Sequence, residues 1–138
     1  MSATTTRGGY RHDAAEYEEG AGTIFGGTVI AIAGLFQFFE GLSAVLADEV
    51  YVRTPNYVYQ FDLTTWGWLH LVVGAVAVGV GIAILMGQEW AMLVGIIMAT
   101  LSMVMQFMFI PWQPIWALVI IATDIAVIWA LSVRLGER

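Results

Sequence analysis

Four apolar stretches, each long enough to cross a bilayer, occupy nearly all of this chain after residue 22. Between polar breaks they run Thr23–Leu46, Thr65–Met86, Trp90–Phe109 and Ile115–Leu131. That is about 24, 22, 20 and 17 residues, against the ~20 that span the hydrocarbon of a membrane. Lipid cannot hydrogen-bond the backbone, so spanning segments are helices or a closed barrel, and these runs lack the in-out alternation of barrel strands. The sequence therefore predicts an all-α fold: a four-transmembrane-helix bundle with an acidic N-terminal tail and a short, hairpin-like outer loop. Residues 1–22 read as a disordered or weakly helical cytoplasmic tail, 23–131 as the transmembrane domain and 132–138 as a short cytoplasmic tail.

Composition narrows what such a chain can do. With 138 residues, 59% of them hydrophobic, and a mean hydropathy of +0.79, there is room for one small helical domain and no separate soluble one. The acidic residues Asp13, Glu16, Glu18 and Glu19 ahead of the first span differ from the basic n-region of a cleavable signal peptide, so that span is expected to stay. There is no cysteine, which removes disulfides, thiolate metal sites and thiol redox chemistry. A net charge of -6 with only five basic residues gives no surface for nucleic acid or polybasic lipid docking. No cofactor signature is present. His70 is the only histidine within a span, so one chain cannot hold a haem between two histidines on facing helices. The methionines of the third span read as flexible core filling.

The five basic residues are all arginines, and Arg7, Arg11, Arg134 and Arg138 lie beside the two termini. An even number of spans puts both ends on one side, and the arginine bias makes that side the cytoplasm of a plasma membrane. Ala47–Thr64 and the Ile110–Pro114 turn then face outward. Trp66, Trp68, Trp112 and Trp116 fall at outer helix ends, Trp90 and Trp129 near inner ones, the depths at which tryptophan anchors helices. In the outer loop, two β-branched and aromatic runs flank Pro55-Asn56. They predict a surface hairpin whose Tyr51, Tyr57, Tyr59 and Phe61 could dock a partner.

Helical wheels gather the polar side chains of the spans onto small-residue faces. Gly26, Ala33, Gln37, Glu40 and Ala44 share a sector of the first helix, and Trp66, His70, Ala77 and Gly81 one of the second. Ala91, Gly95, Ser102 and Gln106 align on the third helix, with Ala99 extending the Ala91-Gly95 ladder; Gln113, Ala117 and Asp124 align on the fourth. Small residues allow close helix approach and polar residues hydrogen-bond across the contact. The reading is a polar network of Gln37, Glu40, His70, Gln106 and Asp124, with helix packing through Gly26, Ala77, Gly81, Ala91, Gly95 and Ala99. Glu40 and His70, each roughly 8 Å below the outer helix ends, are expected to touch. No internal repeat relates the first helix pair to the second.

Several strings carry a family resemblance: Phe61-Asp62-Leu63-Thr64-Thr65-Trp66-Gly67-Trp68-Leu69-His70, Gly79-Val80-Gly81-Ile82, Gly87-Gln88-Glu89-Trp90-Ala91, and Pro111-Trp112-Gln113-Pro114-Ile115-Trp116 leading to Asp124. From about Ala31 to Leu131 the chain resembles small actinobacterial four-helix membrane proteins grouped only as a domain of unknown function. The resemblance implies an actinobacterial plasma membrane and no activity. Met92 stands where the family pattern often has an arginine after Trp-Ala.

No nucleophile, phosphate cradle or metal cluster accompanies the polar residues, and the expectation is a protein that is not an enzyme. It is read as an accessory, scaffold or self-assembling membrane subunit, in contact with lipid and with another membrane protein or its own copies. The alternatives are a small proton-coupled transporter, or a lipid- or small-ligand-binding module using Glu40, His70 and Asp124.

Overall fold

The computed structural model describes residues 6–46 and 63–136, which form four helices: α1 (Thr6–Leu46), α2 (Leu63–Leu85), α3 (Glu89–Phe109) and α4 (Pro114–Gly136). Each contains a stretch long and apolar enough to cross a membrane, and no strand occurs among the described residues. The hairpin expected around Tyr51, Tyr57, Tyr59 and Phe61 lies outside the described residues. Two boundaries differ from the sequence reading. The first helix starts at Thr6, inside the segment read as a tail, and the fourth continues to Gly136, past Leu131. Both extensions are rich in good helix formers, Ala14, Ala15 and Glu16 at one end and Arg134 and Leu135 at the other, and each continues a helix already nucleated in the membrane.

The turns follow from local chemistry. Gly87 adopts φ +78; its N–H donates to the carbonyl of Ile84 at 2.8 Å, and that of Gln88 to Ala83 at 3.0 Å. This pair of bonds closes a helix on a left-handed residue, a conformation glycine adopts without a Cβ penalty. At the other end the amides of Trp112 and Gln113 both donate to Phe109, each at 3.0 Å. Pro114 then opens α4 at the position where a missing N–H costs nothing.

The proximal end of the bundle is where α4 finishes and Gly87 turns. The distal end is where α1 finishes, α2 begins and residues 110–113 turn. Helices α1 and α2 form one hairpin and α3 and α4 the other; α1 lies beside α4, and α2 beside α3. The α1–α2 seam is the closest, and its basis is a run of glycines at seven-residue intervals: Gly27, Gly34 and Gly41 on α1, Gly81, Gly74 and Gly67 on α2. They pair antiparallel. A Cβ built on any of the six would sit 2.5–3.0 Å from the carbonyl oxygen of its opposite glycine, so each seat admits only hydrogen. That arrangement aims Cα–H groups at carbonyls across the seam, a weak but recurrent helix contact, and a seven-residue period keeps the seam in register as the helices coil.

The core joining the hairpins lies in the proximal half, where Ile30, Val80, Ile84, Ala91, Met92, Val127 and Leu131 are buried together. A Cβ on Gly95 would meet the Cδ1 atoms of Ile30, Ile84 and Leu131, so three helices converge on α3 there. In the distal half, burial retreats to the glycine seam within the first hairpin and to Ala117 of α4. Outward faces carry exposed Ile, Leu, Val and Phe throughout. Lipid is therefore the surrounding medium of most of the surface, and hydrophobicity alone cannot hold the hairpins together.

Candidate functional site

The six residues expected at helix contacts, Gly26, Ala77, Gly81, Ala91, Gly95 and Ala99, all occupy buried positions. Gly26 faces the side chain of Leu131 and Gly81 the backbone of α1 at Ala31. Gly27, Gly34, Gly41, Gly67 and Gly74, absent from that set, bring the backbones of α1 and α2 into direct contact. Their unbroken seven-residue spacing was the sequence signal. A wheel drawn helix by helix does not compare spacings between helices, so it misses a pattern that is meaningful only as a pair.

Following the buried stripe of each helix distally leads to the polar residues. On α2, Ile84, Val80 and Ala77 are followed by Val73, His70 and Trp66; on α3, Ala91, Gly95 and Ala99 by Ser102 and Gln106; on α4, Leu131 and Val127 by Asp124. Gln37 occupies the matching place on α1. Gln37, His70, Ser102, Gln106 and Asp124 are half-buried, in contrast to the fully buried core below them. The distal half thus holds polar groups on the inward faces of all four helices.

They do not form one network. Asp124 accepts a hydrogen bond from Ser102, linking α4 to α3. His70 donates Nδ1–H to the carbonyl of Trp66 at 3.1 Å, one turn away on its own helix, and its ring lies 4.2 Å from that of Trp66. The hydroxyls of Thr100 and Thr123 likewise turn back onto Ile96 and Val119, each at 2.8 Å, as hydroxyls in lipid tend to do. Glu40 is exposed, and among the described residues no hydrogen bond or ion pair joins it to His70. The expected Glu40–His70 contact is therefore not made. Both residues have the expected depth, but the glycine seam turns Gly41 toward α2 and carries Glu40, one position away, to the flank.

Gly22 and Glu40 are five full turns apart and lie on one line of α1. At Gly22 that line touches α4, since a Cβ there would sit 3.2 Å from the Ala130 carbonyl oxygen. Further along it, Ala33 and Glu40 are exposed. The α1–α4 contact thus closes proximally and opens distally. On the α4 side of this opening, two turns beyond Leu131, stands Asp124, whose Oδ2 is buried and has no hydrogen-bond partner. Among the described residues no three His, Asp or Glu side chains come together as metal ligands.

Four apolar helices, tryptophans exposed at their ends and a surface of aliphatic side chains define a multi-pass integral membrane protein in contact with lipid. Residues 22–136 match the family described as a domain of unknown function, DUF7144, and the chain belongs to that family. No curated protein and no solved structure matches it.

Proposed function

We propose that this protein is a non-catalytic accessory or scaffold subunit of an actinobacterial plasma membrane, with both termini cytoplasmic and the distal half outermost, and that it works by binding a second membrane protein. The observation that carries this reading is Glu40. It lies six residues, roughly 9 Å, inside the distal end of α1, exposed on the line that meets α4 further down at Gly22. An ionisable side chain costs up to about 3 kcal/mol at the centre of a membrane helix and less toward the interface, and such groups normally face protein or water. A partner seated on this flank would remove the cost. Transport is less well supported, because Ile30, Ile84, Met92 and Leu131 close the proximal half, leaving the polar residues on one side of a dry plug.

The test is a photo-crosslinking residue at Phe36, which is exposed one turn from Glu40, in cells of the native host. A protein adduct of one defined mass, formed in stoichiometric yield and lost on Glu40→Leu, is expected. An adduct of twice the chain mass would identify the self-assembling form of the same reading. Lipid adducts alone would refute it.

A further inference from the structure

The distal opening between α1 and α4 presents two carboxyl groups and, among the described residues, no basic group to answer them. Asp124 stands near mid-membrane, ten residues or roughly 15 Å from Pro114 and about as far from Gly136. It receives one hydrogen bond, from Ser102. Its other oxygen, Oδ2, is buried and unpartnered. That oxygen is unsatisfied in either protonation state, as an acceptor without a donor or a hydroxyl without an acceptor, and a buried polar atom left so calls for an explanation. Glu40 lies on the opposite wall of the opening, nearer the surface, also without a partner among the described residues.

We infer that this slot receives a basic side chain, arginine or lysine, from a transmembrane helix of a different protein, which seats between the distal halves of α1 and α4 and pairs with Asp124 and Glu40. This rests on the partner-binding reading above and names the chemistry of the partner. Charge complementarity selects the occupant. Within the described spans a second copy of this chain offers no cation at this depth, since the chain has no lysine and its arginines are Arg7, Arg11, Arg53, Arg134 and Arg138. Of these only Arg134 belongs to a described span, ten residues proximal of Asp124 on the same helix. His70 uses its Nδ1 proton on Trp66, which leaves the neutral ring only an acceptor at Nε2. The geometry agrees, because the proximal contacts of Gly22 with Ala130 and of Gly26 with Leu131 would form the floor against which an incoming helix stops. Two carboxyls at different depths suit the long side chains of arginine and lysine, whose charged heads can reach along the slot from a range of backbone heights.

The experiment uses the full-length chain in vesicles with synthetic leucine-alanine transmembrane peptides, one carrying a single lysine at its midpoint and one carrying leucine there. Asp124 is near mid-membrane, so either peptide orientation presents the lysine at the right depth. Association read by energy transfer should favour the lysine peptide by roughly three- to tenfold, the range for polar contacts between membrane helices. Asp124→Asn should abolish the preference, and Glu40→Gln should reduce it, while both variants keep the wild-type circular dichroism and gel-filtration profile. Equal binding of the two peptides to the wild-type chain overturns the inference without need of any variant. So does a preference that survives Asp124→Asn and Glu40→Gln combined. The two readings separate cleanly: a Glu40-dependent cross-link in native membranes with no lysine preference keeps partner binding and removes cation recognition, whereas failure of both removes the pair together.

Discussion

Replacing Gly74 with alanine should loosen the α1–α2 hairpin, whereas the same change at Gly79, five residues along the same helix, should not. A Cβ on Gly74 would lie 2.7 Å from the Gly34 carbonyl oxygen and 2.8 Å from the Cα of Phe38, and it would also press on the Phe38 amide nitrogen. All three are backbone atoms and cannot rotate aside. Restoring ordinary contact distances requires the helices to part by somewhat under 1 Å, and a gap of that size forfeits between a quarter and a half of each dispersion well. Over about 30 atom pairs at ~0.15 kcal/mol each, the loss is about 1–2 kcal/mol, within the 1–3 kcal/mol typical of overpacked sites. Gly79 has nothing within 4 Å of a built Cβ, so alanine there changes only helix propensity, a gain of up to about 1 kcal/mol. Because the same gain applies at both sites, the difference between the variants isolates packing, and it should be about 1–2 kcal/mol, or roughly five- to thirtyfold in the unfolding equilibrium. Reversible unfolding in mixed micelles, followed by circular dichroism, measures it. Gly34→Ala should behave like Gly74→Ala, and the double variant should lose less than the sum, since one separation accommodates both methyls. Equal stability of Gly74→Ala and Gly79→Ala would refute the account of the seam.

Further outcomes follow from other contacts. Gly95→Ala should be milder than Gly74→Ala in the same assay, because the atoms nearest its new methyl are the Cδ1 ends of the Ile30, Ile84 and Leu131 side chains and not backbone. Gly87→Ala forces an L residue to φ +78 and should cost about 1–2 kcal/mol by thermal unfolding in detergent, with Gly87→Asn retaining more stability. Glu40→Gln and His70→Phe should be additive in stability to within ~0.5 kcal/mol, because His70 bonds to Trp66 and not to Glu40; a larger coupling measured by a double-mutant cycle would place the two in contact. Cysteines introduced at Thr5 and Gly136 should resist a membrane-impermeant thiol reagent in intact cells while one at Asn56 labels, and the reverse pattern would invert the proposed topology.

Chain composition decided a great deal here by itself. Four apolar runs, with polar breaks at Gly87-Gln88 and Trp112-Gln113, set the number of helices and their membrane-spanning parts, though not the extensions of α1 to Thr6 and of α4 to Gly136, because lipid leaves the backbone no other way to satisfy its hydrogen bonds. Gly87 and Pro114 punctuate the turns through their own φ preferences, and tryptophan placement marked the helix ends. On α3 the small residues Ala91, Gly95 and Ala99 are buried. Only the tertiary structure decided which faces meet. In water, hydrophobicity separates inside from outside; in lipid the surroundings are as apolar as the core, so an apolar residue carries no such information and a wheel gives an angle without a neighbour. Glu40 is the clear instance. Its position along the helix and its sector were legible, but whether that sector meets α2, α4 or lipid depends on the glycine seam, which fixes the rotation of α1, and on how far along α1 the contact with α4 extends. Asp124 Oδ2, buried and without a hydrogen-bond partner, is likewise a consequence of packing that its own helix does not state alone.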